Sequence, residues 1–467
     1  MKNLFALILF AFGLSQLIAQ ERKYEPNWTS LDQREVPDWF TDSKFGIFIH
    51  WGVYSVPAWA PTDIAVGKNF GQKFSEWYWY RLEDPKNKFY KPHHAKMYGD
   101  DFQYQDFAPK FKAKYFNPDA WAETIKNSGA RYVVLTSKHH DGFTLWPSKQ
   151  SWNWNSVDIG PHRDLCGDLS KSVKESGLHM GFYYSLYEWF NPLYKSDLEK
   201  YVDTHMIPQM KDLVKKYEPD ILWTDGEWSH PSEEFKSEQF LAWLYNDSPV
   251  KKNIVVNDRW GKETRSKHGG FHTTEYGHVH DEEGIVDQAI HPWEECRGIG
   301  GSFGWNRTEN LEHYSNSESL VHMLIEKVAN GGNFLLNIGP THDGRIPVIM
   351  QQRLSDMGEW MKVNSEAIYG TRAWGKRPET MKEDGVFYTV KNGSLNVICT
   401  RWKEEINIKG IGEAYKVSLM GSNLKVKFSA IENSLTINAP EVNPGNMPCS
   451  YAWVYKIELN DQGLKNK

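Results

Sequence analysis

Residues 220–226 read DILWTDG, a short apolar run that ends on a carboxylate and a glycine. Ile221, Leu222 and Trp223 suit a buried strand, and Asp225 either begins a simple turn or points into a site. Seven other short apolar runs end in polar or glycine residues and predict further strands. They are GIFIHWG (46–52), YVVLTSKHH (132–140), MGFYYSL (180–186), NIVVNDR (253–259), FHTTEYG (271–277), SFGWNR (302–307) and NFLLNIGP (333–340).

Segments with helical spacing separate several of these strands. Residues 118–128, 164–176 and 197–217 show this spacing, and Asn117 is a good N-cap for the first of them. Strands that alternate with helices favour a parallel sheet. Eight such strands predict an α/β fold, with a (β/α)8-like barrel over residues 21–370.

The pattern changes after about residue 370. Short strand-like pieces follow at 387–390, 395–400, 406–408, 416–419, 424–428, 435–437 and 451–457. Turn residues such as Asn392 and Gly393 separate several of them. We predict a small C-terminal β-sandwich over residues 371–460, followed by a frayed tail over 461–467.

The N-terminus has the pattern of a signal peptide over residues 1–20. Lys2 precedes a mostly apolar run that ends near Ala19, a small residue suited to cleavage. This run is short for a membrane span, and no later run is long enough to cross a bilayer. We expect an exported protein, periplasmic or secreted if its source is bacterial and lysosomal if it is eukaryotic.

Composition narrows the class of function. The formal net charge of -6 argues against a nucleic-acid-binding protein. The chain has 21 Trp, 23 Tyr and 23 Phe, a surplus that suits a site in which rings stack on sugars. Its four cysteines (Cys166, Cys296, Cys399 and Cys449) lack the spacing of a zinc site, and their pairing stays open.

The C-terminal ends of barrel strands form one rim, where catalytic residues lie. The predicted strand ends would bring together His50, His139, His140, Tyr184, Asp225, Asn257, Asp258 and Glu275. Taken alone, His50 is more simply a core histidine and Asp225 a turn residue. His139 and His140 are adjacent and would point to opposite faces of a strand, which favours hydrogen bonding to a polar ligand over a metal site.

Two further acidic residues stand beside aromatic residues. Glu76 lies in SEWYWYRL (75–82) and either is solvated or binds hydroxyls beside rings that cover a sugar. Glu294 follows Trp293 in PWEEC (292–296). Desolvation by the indole would raise the pKa of this carboxyl and suit a proton donor, although paired glutamates are more often a solvated turn.

No nucleotide-binding loop, dinucleotide fingerprint, nucleophile elbow or HExxH motif competes with these features. An exported, aromatic-rich barrel with carboxylates at its rim favours a glycoside hydrolase, because that chemistry uses two carboxyl groups.

Ten consecutive motifs strengthen this interpretation. They are FGIFIHWGVYSVPAW (45–59), EWYWYRL (76–82), GARYVVLTSKHHDGFTLW (129–146), NWNSVDIGPHRDLCGDL (153–169), GFYYSLYEWFNPLY (181–194), ILWTDGEW (221–228), VVNDRWG (255–261), FHTTEYG (271–277), PWEECRGIGGSFGWNR (292–307) and NGGNFLLNIGPTHDGRIP (330–347). In this order they resemble the α-L-fucosidases of glycoside hydrolase family 29, in their broad-specificity branch. That family joins a (β/α)8-like catalytic domain to a C-terminal β-sandwich.

The resemblance implies an exo-acting, retaining α-L-fucosidase with Asp225 as the nucleophile of a covalent fucosyl-enzyme. Gly226 would leave room for the sugar. The family's fucose contacts match His50, Glu76, Trp77, His139, His140 and Tyr184. The histidines and Glu76 would bind hydroxyls, and the aromatic rings would pack on the C6 methyl group. The resemblance implies no metal and no organic cofactor.

The resemblance identifies the acid/base less sharply. Glu294 is the first choice, because it follows the tryptophan of the matching motif, and Glu295 and Glu275 are the alternatives. Asp281, Glu282 and Glu283 rank lower. The expected partner is a fucosylated oligosaccharide or glycoconjugate. The linkage and any homo-oligomer stay open, as do two other hypotheses: an inactive fucose-binding barrel, and a retaining glycosidase for a related sugar such as galactose.

Overall fold

The structure is a computed structural model that describes residues 22–62, 70–276, 291–375, 384–411, 414–431 and 434–459. The predicted signal peptide, the predicted tail, and Asp281, Glu282 and Glu283 lie outside the described residues. Within the described ranges, no helix is both long enough and apolar enough to span a bilayer.

Eight parallel strands form one curled sheet. They are β1 (Phe45–Ile49), β2 (Tyr132–Lys138), β3 (His179–Ser185), β4 (Ile221–Asp225), β5 (Val255–Val256), β6 (His272–Glu275), β7 (Trp293–Gly298) and β8 (Asn333–Ile338). Their order in the sheet is β5-β4-β3-β2-β1-β8-β7-β6. A parallel bridge between Asn257 and Phe271 connects the segments that follow β5 and precede β6. The predicted α/β fold with a (β/α)8-like barrel is confirmed.

The seventh strand is not the predicted one. Residues 302–307 form bends and a turn but no strand, and the seventh strand instead spans Trp293–Gly298. Its sequence, WEECRG, has two carboxylates and an arginine, so it lacks the apolar run by which the other strands were recognised. Glu294 and Glu295 therefore lie on a buried strand that pairs with β8, and not in a solvated turn.

Helices pack around the sheet. They are α1 (Trp28–Leu31), α2 (Asp38–Ser43), α3 (Tyr78–Glu83), α4 (Tyr90–Tyr98), α5 (Pro118–Asn127), α6 (Leu165–Glu175), α7 (Leu193–Ser196), α8 (Leu198–Tyr201), α9 (Ile207–Tyr217), α10 (Ser237–Asn246), α11 (Ser317–Ala329) and α12 (Val348–Asn364). A π-helical turn (Val202–Met206) joins α8 to α9, and a 3₁₀ turn (Ser75–Trp77) precedes α3. As predicted, Asn117 caps α5, where its side chain accepts hydrogen bonds from the backbone of Asp119 and Ala120.

The barrel strands are covered on both faces, as parallel strands usually are. Residues of β1, β2 and β8 are buried throughout. Alternate residues divide between two cores because side chains alternate across a strand. Phe48, Val134, Tyr183 and Trp223 pack in the barrel interior, whereas neighbours such as Ile47 pack in the outer core with the helices.

The C-terminal region consists of two antiparallel sheets. Its strands are β9 (Arg372–Ala373), β10 (Val386–Lys391), β11 (Ser394–Cys399), β12 (Glu405–Lys409), β13 (Ala414–Leu419), β14 (Lys427–Ile431), β15 (Ser434–Asn438) and β16 (Trp453–Leu459). One sheet has the order β13-β16-β11-β10-β9 and the other β12-β15-β14. They share a core that includes Leu395, Ile408, Leu435 and Ile457, which confirms the predicted sandwich.

The two regions pack directly on each other. Ile398 and Val454 of the sandwich belong to the outer core of the barrel. The indole of Trp360 on α12 donates a hydrogen bond of 2.9 Å to the carbonyl of Ala452. The four cysteines are free thiols, and three of them are buried.

Candidate active site

A cleft of about 230 Å³ opens at the C-terminal ends of the barrel strands. Its lining combines carboxylates, histidines and aromatic rings: Phe48, His50, Phe74, Glu76, Trp77, Arg81, His139, His140, Tyr183, Trp223, Asp225, Trp228, Arg259, Glu275, Cys296 and Phe303. Six of the eight residues first chosen from the sequence meet here, namely His50, Glu76, Trp77, His139, His140 and Asp225. The other two, Tyr184 and Glu294, do not line the cleft.

Asp225 is the last residue of β4 and is 8% exposed. Its Oδ2 accepts a hydrogen bond of 2.9 Å from Tyr183, and its Oδ1 lies 2.6 Å from Nη1 of Arg259. Desolvation alone would raise the pKa of this carboxyl. The charge of Arg259, followed by His140 and Arg265, outweighs that penalty and lowers the pKa to about 2. Asp225 is therefore an anion at neutral pH, held in one orientation.

The glycine after Asp225 is needed for packing within the protein. Gly226 has a φ of +79°, and a Cβ on it would lie 2.5 Å from Cβ of Tyr187. The left-handed backbone and the close approach both favour glycine. The space that Gly226 leaves is thus taken by Tyr187, on the loop after β3, and not by open cleft.

Arg259 is a cleft residue that the sequence analysis did not select. It is 2% exposed, and its guanidinium lies 4.4 Å from the centre of the Trp223 ring. Its Nε donates a hydrogen bond of 3.0 Å to Thr273, while Nη2 lies 3.4 Å from Oε2 of Glu275. An arginine directly after the buried run IVVND (254–258) was the available signal, because a cation there needs a buried anion.

Glu275 ends β6, as Asp225 ends β4. Its side chain is 17% exposed, and it lines the cleft. Desolvation raises the pKa of Glu275. The positive charge of Arg259 lowers it in part, and the negative charge of Asp225 raises it again. The two carboxyls thus contact one guanidinium and have pKa values displaced in opposite directions.

Glu294 lies deeper in the barrel. It is the second residue of β7, and its carboxyl accepts hydrogen bonds of 2.5 Å from Tyr132 and 3.0 Å from Trp223. Burial raises its pKa to about 7. Two residues further along the strand and on the same face, Cys296 lines the cleft. Glu294 therefore lies below the cleft floor.

Glu295 points to the opposite face of β7, where it accepts a hydrogen bond from Thr274. It does not line the cleft either. Of the three acid/base candidates from the sequence, the structure brings Glu275 alone to the cleft.

Two of the cleft histidines have tautomers that follow from their partners. Asn337 donates its amide hydrogen to the carbonyl of Phe303, so its oxygen accepts from Nδ1 of His50 at 2.6 Å. Ser185 donates to the carbonyl of Tyr187, so it accepts from Nδ1 of His140 at 2.6 Å. In both rings Nε2 is then the acceptor.

Burial keeps all three cleft histidines neutral. Desolvation is the largest cause in each case and lowers the pKa of His50 to about 3 and that of His140 to about 4. It lowers the pKa of His139 well below its usual value, and the neighbouring histidines add to the effect. These rings offer hydrogen bonds, and not charges, to a ligand.

Glu76 stands in the 3₁₀ turn before α3 and faces the same cleft. Its Oε2 accepts hydrogen bonds from the backbone of Gly304 at 2.8 Å and from Ser302 at 3.0 Å. Desolvation raises the pKa of Glu76 to about 7. The segment SFGWNR therefore holds Glu76 in place, and its Phe303 ring packs 4.8 Å from the His50 ring.

Tyr184 faces outward from the barrel, where its hydroxyl donates a hydrogen bond of 2.8 Å to Gln209 on α9. Its neighbour Tyr183 lines the cleft. Adjacent strand residues face opposite sides, and a Tyr-Tyr pair does not reveal which one points inward. Asn257 and Asp258, also expected at the rim, instead bond to Thr224 and Thr273 and brace the loop that carries Arg259.

Two family profiles match the chain. The profile described as alpha-L-fucosidase covers residues 12–366, and that of the alpha-L-fucosidase C-terminal domain covers residues 379–458. The chain belongs to the α-L-fucosidase family. The resemblance seen in the motifs and the prediction of a glycoside hydrolase of this class are confirmed.

Individual relatives match along almost their whole length. An alpha-L-fucosidase of Branchiostoma floridae is 43% identical over 93% of this chain and 96% of its own. The human tissue alpha-L-fucosidase is 39% identical over 97% and 96%. The crystal structure of a Thermotoga maritima alpha-fucosidase, in complex with a mechanism-based inhibitor, is 37% identical. It aligns with a TM-score of 0.77 over 93% of this chain and all of that one.

Proposed function

We propose that the chain is an exo-acting, retaining α-L-fucosidase that removes terminal α-L-fucose from glycans. Asp225 is the nucleophile and Glu275 the acid/base. One observation carries this proposal: the guanidinium of Arg259 contacts both carboxyls in one cleft, and their pKa values are displaced in opposite directions. Retaining glycosidases use two carboxyls about 5–5.5 Å apart, and a shared guanidinium keeps such a pair close.

In the first step Asp225 attacks the anomeric carbon of the fucose. The bond from that carbon to the leaving oxygen breaks, and Glu275 gives its proton to this oxygen. The lowered pKa of Asp225 keeps the nucleophile ionised, and the raised pKa of Glu275 favours the protonated form that an acid needs. The product of the step is a fucosyl ester on Asp225 and a free alcohol.

In the second step water hydrolyses the ester. Ester formation removes the negative charge of Asp225, which is one of the causes that raise the pKa of Glu275. The pKa of Glu275 therefore falls when a base is required. Glu275 takes a proton from water, the water oxygen attacks the anomeric carbon, and Asp225 is released. Two displacements retain the anomeric configuration.

The rest of the cleft suits a single fucose. Its volume of about 230 Å³ is below the usual range of about 300–1,000 Å³ for larger ligands. The neutral rings of His50, His139 and His140, together with Glu76, supply hydrogen bonds to hydroxyl groups. Trp77 and Phe303 supply apolar surface for the C6 methyl group, and Tyr183 takes the place first given to Tyr184.

Hydrolysis of 4-nitrophenyl α-L-fucoside by the wild type and by Asp225→Ala tests the proposal, with 4-nitrophenyl β-D-galactoside as the alternative substrate. We expect turnover of the fucoside by the wild type and its loss in the variant, with an unchanged circular dichroism spectrum. Faster turnover of the galactoside would contradict the choice of sugar. Near-normal turnover by Asp225→Ala would contradict the choice of nucleophile.

We also propose that the protein is exported, on the signal-peptide pattern before residue 20. N-terminal sequencing of protein from its native source should begin near Gln20. A mature protein that begins at Met1 would contradict export by this route.

A further inference from the structure

We propose that the mouth of the cleft is a binding site for the sugar that leaves, with Trp228 and Tyr80 as its stacking surface. This inference rests on the proposed function. The ligand is a pyranose ring, a hexose or an N-acetylhexosamine, to which fucose is attached. It lies against the exposed aromatic faces while its glycosidic oxygen reaches Glu275.

The aromatic rings at the mouth differ from those inside the cleft in exposure. Trp228 is 39% exposed and Tyr80 is 40% exposed, whereas Trp223 on the cleft wall is 1% exposed. Trp77 joins the two exposed rings, with centroid distances of 5.9 Å to Trp228 and 5.3 Å to Tyr80. Exposed apolar surface that is contiguous and adjoins a pocket commonly marks a binding site.

The local structure aims this aromatic surface outward from the catalytic residues. Trp77 immediately follows Glu76, and Tyr80 and Arg81 stand three and four residues further along α3, on the same face of the helix. Trp228 comes three residues after Asp225, in the loop after β4. Two separate loops of the barrel thus supply one surface, and each is anchored beside a carboxylate of the cleft.

The size of the cleft places the leaving group at this surface. A space of about 230 Å³ is filled by one monosaccharide, so the rest of the substrate extends through the mouth. The C–H groups of a pyranose face are weakly positive, and the face of an aromatic ring is negative, so the two attract each other.

Arg81 adds a polar contact at the same place. Its guanidinium lies 5.5 Å from the Trp77 ring centre and 5.3 Å from that of Tyr80. Within the described residues its Nε is buried without a hydrogen-bond partner. Guanidinium N–H groups are donors, and the hydroxyl or acetamido oxygens of a sugar are acceptors that match them.

A comparison of two substrates distinguishes an effect on the leaving-group site from an effect on the fucose site. The leaving group of α-L-fucosyl fluoride is a fluoride ion, which cannot stack on an aromatic ring. The leaving group of α-L-fucosyl-N-acetylglucosamine is a pyranose, which can. In Trp228→Ala we expect kcat/KM for the disaccharide to fall about tenfold more than kcat/KM for the fluoride, which corresponds to about 1.4 kcal/mol. Tyr80→Ala should also lower the ratio of kcat/KM for the disaccharide to kcat/KM for the fluoride. Trp228→Phe, which keeps an aromatic ring, should have a ratio close to that of the wild type.

Trp152→Ala is the matched control. Trp152 is 78% exposed and does not line the cleft, so its removal should leave the ratio unchanged. Equal losses on both substrates in Trp228→Ala, or an unchanged ratio in all variants, would overturn the proposed subsite. Failure of the wild type to hydrolyse the fluoride would instead overturn the proposed function, so the two failures are distinguishable.

Discussion

Replacement of Glu275 by glutamine should give the kinetic pattern of a missing proton donor. A general acid accelerates the step that it catalyses by about 10²- to 10⁴-fold. In Glu275→Gln, kcat/KM for a fucosyl disaccharide should therefore fall by about that factor. 4-Nitrophenolate leaves without protonation, so kcat/KM for 4-nitrophenyl α-L-fucoside should fall far less. The raised pKa of Glu275 and its place in the cleft, beside Asp225, are the physical basis.

Azide gives a second measurement on a variant at this position. In Glu275→Ala the fucosyl ester on Asp225 lacks the base that activates water, and azide needs no base. Azide should therefore raise kcat and produce α-L-fucosyl azide, since the ester is displaced with a second inversion. In Asp225→Ala azide should give the β-azide, because it attacks the α-fucoside directly.

Glu294→Gln is the matched control. Its carboxyl accepts hydrogen bonds from buried Tyr132 and Trp223, and an amide retains one acceptor oxygen. We expect the free energy of unfolding to fall by about 1–3 kcal/mol, with the ratio between the two substrates unchanged. If Glu294→Gln spared the nitrophenyl substrate selectively and Glu275→Gln did not, the assignment of Glu275 would be refuted.

Three further predictions follow from charges near the cleft. The wild-type kcat/KM for a fucosyl disaccharide should decline on the alkaline side, at a pH above the ordinary carboxyl range, as Glu275 with its raised pKa loses its proton. If the residual activity of Glu275→Gln on the same disaccharide kept this alkaline limb, another group would set it. Arg259→Met should lower kcat/KM and move its acidic limb to higher pH, because the pKa of Asp225 would rise from about 2 toward its ordinary 3.8. An acidic limb that stays in place would contradict this. Lys138→Met should lower the free energy of unfolding, measured in urea, by about 3–5 kcal/mol, because it leaves the buried Glu188 without its cation. Lys171→Met removes an exposed ion pair and should lower it by less than about 1 kcal/mol. Equal losses of stability in the two variants would contradict the role of the Lys138–Glu188 pair.

Hydrophobic periodicity predicted most of the fold because most strands bury one or both faces. In the sandwich, β12 alternates exposed and buried residues and was found at its predicted place. The seventh barrel strand was missed because a barrel interior can hold polar groups that satisfy one another. Glu294 bonds to Tyr132 and Trp223 and Glu295 to Thr274, so this buried strand has the composition of a loop.

The site was predictable where a polar residue ends a predicted strand, as for Asp225 and Glu275. The site was not predictable where it depends on which of two adjacent strand residues faces the barrel interior. Tyr183 and Tyr184 are identical in type, and the bonds to Asp225 and Gln209 alone distinguish their faces. Arg259 was missed because its partners, Asp225 and Glu275, are distant in sequence and meet through barrel closure.

Covalent labelling can identify the nucleophile directly. The protein would be incubated with 2-deoxy-2-fluoro-α-L-fucosyl fluoride, in which fluorine slows the hydrolysis of the ester, and then digested and analysed by mass spectrometry. We expect one fluorofucosyl group per chain, on the peptide that contains Ile221–Trp228, with the label on Asp225. A label on Glu275 or Glu76, or turnover without any covalent label, would contradict this assignment.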